Sequence, residues 1–347
     1  MELMNSRLSR RALLNRVAPA LAGSLAAISP ARMVAQEQKT AESKPSNKIW
    51  SSEYWAKKGD VSLYIYRKKL DATKPGEPAS PVLFLAHGSS VSSRPSFDLT
   101  VPGHGDYSLM DKFAECGFDV WTMDFEGYGR SGMGTGNSDI ATGADDINSA
   151  AEVILRETGQ SRFHLMGESS GALRAGVFAM SHPEHVERLV LVSFTYTGEG
   201  SPTLSKRSQQ ADYYRTHNRR PRDREMIRSI FTRDKPGTSD PAVAEAMADA
   251  ELKFGDSVPT GSYLDMTTRL PVVDPLKIKS PVLIARGEYD GIATEDDLLN
   301  FFKKLPTPDR EIAILPGASH SIALGLNRPQ FWHVMRCFLE MPKRMDI

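Results

Sequence analysis

The chain has 347 residues, enough to bury a full core and long for one compact domain, so one large domain carrying an insertion is the default. Its composition, 40% hydrophobic and 25% charged, excludes collagen-like, disordered and multi-span membrane classes. Lysine plus arginine equals aspartate plus glutamate at 43 each, which gives no case for nucleic acid as a partner.

That balance hides an asymmetry. Residues 1–35 carry Arg7, Arg10, Arg11, Arg16 and Arg32 against Glu2 alone, a charge of +4. Ser9-Arg10-Arg11-Ala12-Leu13-Leu14 places a twin-arginine pair before a mild apolar run from Val17 to Ile28, and small residues from Pro30 to Ala35 offer cleavage sites. The run is too short and alanine-rich to span a bilayer, which needs about 20 strongly apolar residues. The segment resembles a Tat-type signal peptide, with Asn15 where a lysine is usual. It implies delivery by the twin-arginine export machinery to the periplasm or the medium. A basic helix on a cytoplasmic protein is the blander alternative. Residues 36–50 are polar and read as a tail or linker.

Beyond that, strands and helices alternate. Val61 to Tyr66 alternates polar with apolar, as an early edge or antiparallel strand should. Val82 to Ala86 is continuously apolar and ends in His87-Gly88, the pattern of a strand buried on both faces. Further strands are predicted at Phe118–Met123, Phe163–Met166, Leu189–Val192, Val282–Ala285 and Glu311–Leu315. Apolar residues at three- and four-residue intervals predict helices at Tyr107–Cys116, Ile140–Glu157, Ser170–Ser181, Glu295–Lys304 and Gln330–Leu339. Such alternation implies an α/β protein with a mostly parallel central sheet and helices on both faces. Between Thr195 and Asp274 no core strand is evident, and the content is helix-like at Gln209–Tyr214, Arg224–Phe231 and Ala242–Leu252. A structureless loop of that length would be unusual in a compact domain, so residues 195–274 read as a helical cap between core segments 36–194 and 275–347.

The chemistry begins at Gly167-Glu168-Ser169-Ser170-Gly171. A G-x-S-x-G pattern arises by chance ~0.1 times in a chain of this length and composition. Here it follows a predicted strand and opens a predicted helix, the strand–turn–helix setting of a nucleophile elbow. Ser169 sits at the strained turn, and Gly167 and Gly171 let backbone pass closely. Acyl transfer also needs an oxyanion site, expected from the Ser170 N–H at the helix start and the Ser89 N–H in the loop after Val82–Ala86. His87 reads as a structural histidine bonded to loop backbone. A serine hydroxyl needs a base held in one tautomer, and the chain order of the elbow is serine, acid, histidine. Asp290 ends Arg286-Gly287-Glu288-Tyr289-Asp290 and His320 ends Pro316-Gly317-Ala318-Ser319-His320, each in a loop beyond a strand's carboxyl end. Asp290 is therefore assigned as the orienting acid and His320 as the base, with Glu199 as reserve acid and Asp124 as a weaker one. No clustered ligand motif or phosphate loop is present, so no metal and no nucleotide or other cofactor is implied.

These pieces together resemble the α/β-hydrolase superfamily in its esterase, C–C hydrolase and haloperoxidase-like branch. The matching residues are His87-Gly88, Asp124-Phe125-Glu126-Gly127-Tyr128-Gly129-Arg130-Ser131, Gly167 to Gly171, Pro183, Val186, Leu189, Val190, Gly287 to Asp290 and Gly317 to His320, in family order over residues 60–340. The resemblance implies an α/β-hydrolase fold with a helical cap inserted after strand 6. A serine at the elbow argues against haloalkane dehalogenases and epoxide hydrolases, whose pattern has aspartate there. The long Ser89–Asp106 loop, and Glu126 where relatives often have arginine, blur the substrate class.

The leading expectation is a carboxylic ester hydrolase acting on a small-molecule ester through an acyl-enzyme on Ser169. Prolyl-type aminopeptidase or amidase, lactonase and C–C bond hydrolase are the enzymatic alternatives. A ligand-binding protein on the same fold is the non-enzyme one. Residues 206–235 hold ten basic residues against four acids, either an attraction for anionic substrate or a solvated face balanced by the acidic stretch from Asp240 to Asp265. Cys116 and Cys337 fall on helices expected to cover one face of the sheet, and two buried free thiols are favoured over a bridge. Nothing in the sequence fixes an oligomeric state.

Overall fold

The computed structural model describes residues 48–70, 79–342 and 344, so the export-signal reading of residues 1–35 lies outside the described residues. The strands are β1 (Ile49–Lys58), β2 (Val61–Leu70), β3 (Val82–Ala86), β4 (Asp98–Thr100), β5 (Asp106–Ser108), β6 (Asp119–Met123), β7 (Phe163–Glu168), β8 (Val186–Val192), β9 (Arg219–Pro221), β10 (Ser257–Pro259), β11 (Val282–Gly287) and β12 (Arg310–Leu315). The helices are α1 (Ser93–Phe97), α2 (Leu109–Glu115), α3 (Ile140–Thr158), α4 (Ser170–Ser181), α5 (Pro202–Ser208), α6 (Ala211–Thr216), α7 (Arg224–Thr232), α8 (Pro241–Glu251), α9 (Gly261–Thr268), α10 (Glu295–Lys304) and α11 (Arg328–Leu339).

Eight strands make one sheet in the order β1-β2-β6-β3-β7-β8-β11-β12. From β6 to β12 every pairing is parallel, and β1 and β2 add an antiparallel edge. The central strands β3, β6 and β11 are buried at every residue; β3 accordingly reads as an unbroken apolar run, while β6 and β11 also bury Asp119, Thr122 and Arg286. Ile147 and Ile154 of α3 and Phe178 of α4 pack one face, while Phe113 of α2 and Phe331 and Met335 of α11 pack the other. The ligand end of such a sheet lies beyond the carboxyl ends of its strands. The described residues, the insertion included, form one compact unit.

Three readings of the sequence need correction. The tail expected to reach residue 50 stops short, because Ile49–Lys58 is a ten-residue strand joined to β2 by a two-residue turn at Gly59-Asp60. It is the sheet edge and carries polar side chains on both faces, which erases the alternation that marks half-buried strands. The Ser89–Asp106 segment is not a plain loop, since α1 and the β4–β5 ribbon lie within it. The cysteines are free, yet Cys116 is only half-buried and Cys337 is exposed beside His333, so the expected burial of both thiols is wrong. Their helices do share one face, but Cys337 lies on the side of α11 away from Phe331 and Met335.

Between β8, the sixth strand of the sheet in chain order, and β11, the chain adds no strand to the sheet. It forms α5 to α9 and the small β9–β10 ribbon. The stretches at 224–231 and 242–252 correspond to α7 and α8, and that at 209–214 overlaps α6. The other two helices, α5 and α9, are seven and eight residues long, too short to show a helical period.

Candidate active site

The chain leaves β7 and turns sharply at Ser169, whose φ of 59° and ψ of −122° lie outside the regions a non-glycine residue prefers. Such a conformation costs of order 1–3 kcal/mol and persists only where the surroundings enforce it. Here the Ser169 N–H donates to the Val192 carbonyl at 2.8 Å, and α4 starts at the next residue. Gly167 and Gly171 allow the turn. A Cβ on Gly167 would collide with the Gly171 carbonyl, and one on Gly171 with the carbonyl of Ala86 at the end of β3.

Two further loops bring the partners. His320 Nε2 lies 3.1 Å from Ser169 Oγ, and His320 Nδ1 lies 2.9 Å from Asp290 Oδ1. The same carboxylate oxygen accepts the Ile292 N–H at 3.0 Å. The two loops are laced together: Gly317 N–H donates to Glu288 Oε2 at 2.8 Å, and Tyr289 N–H to the Ala318 carbonyl at 2.9 Å. Ser193 Oγ donates to the His320 carbonyl at 2.6 Å, tying the histidine to the end of β8. Burial by itself would raise the Asp290 carboxyl, but the His320 charge and hydrogen bond, with the Ile292 N–H, hold it below the ordinary carboxylate range. An ionised Asp290 keeps the proton on Nδ1 and turns the Nε2 lone pair toward Ser169.

Ser170 is the first residue of α4, where an N–H has no intrahelical acceptor. Ser89 is buried beside the site, and its Oγ donates to Ser170 Oγ at 2.6 Å. Ser262 Oγ donates in turn to Ser89 Oγ at 2.8 Å, and Tyr263 Oη lies 2.8 Å from Ser90 Oγ. The first turn of α9 thus braces the loop that carries one expected oxyanion donor. No sequence motif marks Ser262 or Tyr263.

The remaining candidates sit elsewhere. Glu199 is exposed, its backbone carbonyl accepting from Thr294 Oγ1, and it makes no contact with His320 among the described residues. Asp124 is spent as a loop cap, accepting from the N–H and hydroxyl of Ser93 and from the Arg130 N–H. Burial pushes its carboxyl up to about 6. His87 is a strut: Nε2 accepts the Phe125 N–H at 3.1 Å, so Nδ1–H donates to the Gly88 carbonyl at 2.7 Å. Burial, with the Arg174 charge nearby, pushes His87 down to about 3, so it stays neutral.

Ser169 and His320 open on a cavity of about 50 Å³, walled by Ile230 of α7 and Met247 of α8. That is far below the roughly 300 Å³ at the lower end of small-molecule sites. A larger cavity of about 690 Å³, between Arg94, Leu99 and Val101 and the α8 side chain of Ala246, does not reach Ser169. Arg207 and Arg233 from the insertion also line the small cavity, as does Glu168. Glu168 is half-buried with its remaining surface on the cavity, and burial, aided by the Asp290 charge, pushes its carboxyl up to about 8. Its place inside the G-x-S-x-G pattern was the only sign in the sequence that it belongs here.

Among the described residues two clusters have spacing suited to a cation: His182, Glu184 and His185 on the surface, and Asp234, Asp290 and His320. In the second, both ring nitrogens of His320 are already directed at Asp290 and Ser169.

A mostly parallel eight-stranded sheet with helices on both faces, carrying serine, acid and histidine at strand ends in that order, is the α/β-hydrolase fold. Residues 104–326, more than half of the chain, match the serine aminopeptidase S33 family, and the chain belongs to that family of α/β-hydrolases. It is a hydrolase by that membership.

Solved structures similar to it include an E-2-(acetamidomethylene)succinate hydrolase, 20% identical with a TM-score of 0.59, covering 84% of this chain and 100% of that one. A carboxylesterase CesB from Bacillus subtilis is 17% identical with a TM-score of 0.56, covering 85% and 93%. A bacterial membrane phospholipase A is 18% identical with a TM-score of 0.59, covering 84% and 86%. At these identities the likeness is one of fold. No curated protein sequence matches the chain significantly.

Proposed function

We propose that the chain is a serine-dependent carboxylic ester hydrolase working through an acyl-enzyme on Ser169. The observation that carries this reading is the continuous relay from Ser169 Oγ through His320 to Asp290, at 3.1 and 2.9 Å. Ser169 Oγ attacks the ester carbonyl carbon while His320 Nε2 takes the hydroxyl proton, and the carbonyl oxygen gains negative charge facing the Ser89 and Ser170 N–H groups. The ester C–O bond then breaks, and the alkoxide leaves as the alcohol with the proton from His320. Water, deprotonated by the same nitrogen, releases the acid and restores Ser169.

An organophosphonate fluoride should add once, at Ser169, as read by mass spectrometry of the peptides. A label mapped to any other residue rejects the reading.

Family membership keeps an aminopeptidase in view, with lactone, amide and C–C substrates behind it. The electrostatics favour the ester. A peptide's α-ammonium would meet Arg207 and Arg233, and burial keeps Glu168, the cavity's own carboxyl, mostly neutral at pH 7. Faster turnover of aminoacyl arylamides than of simple esters would reverse this preference.

Residues 195–274 are proposed to act as a cap that must open for substrate, since the cavity beneath it is small. Export through the twin-arginine route is proposed from residues 1–35; cell fractionation with sequencing of the mature N-terminus tests it. No helix among the described residues is long and apolar enough to cross a membrane.

A further inference from the structure

The basic stretch from Lys206 to Lys235 separates into two kinds of residue once the insertion is folded. Arg215 pairs with Asp212, Arg222 with the buried Glu251, Arg224 with Glu245 and Asp249, and Arg228 with Glu245. Arg219 is held by Ser257 and by the Gly127 carbonyl. These are structural ties within the insertion and, through Gly127, to the rest of the fold.

Arg207 and Arg233 differ. Arg207 makes no ion pair with any carboxylate among the described residues; its guanidinium stands 5.2 Å from the Tyr263 ring centre. Arg233 has Asp234 at 3.5 Å from its Nε and its charge also acts on Asp290, yet its Nε and Nη2 are buried with no hydrogen-bond acceptor. Both line the cavity at Ser169 and also an outer cavity of about 500 Å³ that holds Lys206 and Arg220. The two guanidinium groups therefore stand in the wall between an electropositive vestibule and the nucleophile.

Burial, then the charge of Arg233, pushes Arg207 down to about 10, the mark of like charges crowded away from water. Buried donors without acceptors, and two like charges crowded together of which Arg207 has no carboxylate partner, are costly. An arriving anion would remove both costs, and the planar fork of arginine suits a carboxylate.

We propose that Arg207 and Arg233 bind a carboxylate on the substrate, so that the enzyme prefers esters whose acyl chain ends in a second, ionised carboxyl group. The carboxylate sits between the guanidinium groups while the ester carbonyl reaches Ser169. This rests on the ester-hydrolase reading and adds its substrate class.

The test compares monomethyl glutarate with methyl pentanoate, which has the same chain length without the charge. The ratio of their kcat/KM values should favour the glutarate ester. It should fall roughly 10- to 100-fold in Arg207→Gln and in Arg233→Gln, the loss of a charge-assisted contact. Arg228→Gln, which breaks only the pair with Glu245, should leave the ratio alone. A ratio unmoved in the first two variants overturns the inference while ester hydrolysis at Ser169 stands.

Failure of the wild-type protein to cleave either ester would instead remove the ester reading. Calorimetry of glutarate dianion with Ser169→Ala then decides the site by itself: binding weakened by Arg207→Gln upholds it, and absent or unchanged binding overturns it. Thermal melting of each variant verifies folding.

Discussion

Gly171 lies so close to Ala86 that a Cβ added to it would collide with the Ala86 carbonyl oxygen. The contact joins the start of the helix behind Ser169 to the end of β3, from which the Ser89 loop departs. This close backbone approach helps set the spacing of the two expected oxyanion donors, on Ser89 and Ser170. Gly171→Ala should fold, with overpacking costing about 1–3 kcal/mol. Activity should drop on the order of 100-fold, because displacements of about 1 Å at a reacting centre have effects of that size. Thermal melting and kcat/KM measured on the same sample check both halves; a variant of full activity would show that the donors lie elsewhere.

Removing the relay should cost far more. Ser169→Ala or His320→Ala is expected to lower turnover by ~10⁶, the size seen when a nucleophile or base of such a set is lost. Asp290→Asn should lower it by ~10⁴, since an amide at that position can hold the imidazole in the wrong tautomer. Glu199→Gln, an exposed change, should leave turnover within a factor of two or so. Single-turnover kinetics on a chromogenic ester distinguish these outcomes.

Glu168 makes stability depend on pH in a defined direction. Its carboxyl is pushed up to about 8 in the folded chain from an ordinary value of 4.5. Below the lower value both states hold the proton and its contribution to stability is fully present. As pH rises the unfolded chain ionises first, so the contribution is lost progressively up to about 8 and is constant beyond. The melting temperature of the wild type relative to Glu168→Gln should therefore fall from pH 5 to pH 8 and then level off. A difference that is the same at every pH would contradict the burial of this carboxyl.

Met247 sets the reach of the cavity. It is 2% exposed, projects from α8 and lines the space in front of Ser169. Met247→Ala should cost about 2–5 kcal/mol of stability. It should also shift the preferred acyl length of neutral p-nitrophenyl esters upward by several carbons. Profiles of kcat/KM against acyl length for the two proteins provide the check, and coincident profiles would mean that the acyl chain leaves by another path.

The strand–helix alternation, the elbow at Ser169 and the acid and histidine loops could all be read from the sequence. Each of these signals is local. Strands buried on both faces are mostly apolar, a strained turn against a neighbouring strand demands Gly167 and Gly171, and a loop at a strand end announces itself by the glycine within it. The edge strand β1 escaped because solvent on its outer side removes the apolar alternation, although Gly59-Asp60 was a hairpin signal in plain view.

The sequence ranked Asp290 ahead of Glu199 and Asp124 by chain order, but only the tertiary structure shows which carboxylate lies within 2.9 Å of the histidine. Tertiary structure also separated Arg207, which has no carboxylate partner among the described residues, and Arg233, whose buried donors lack acceptors, from the arginines that tie the insertion together. Whether an arginine is neutralised depends on which acid another helix brings to it, as α8 brings Glu245 to Arg228 from 17 residues away. Sequence determines which groups are present and the local backbone they impose. Packing decides which charges meet, since that energy exists only between elements already folded together.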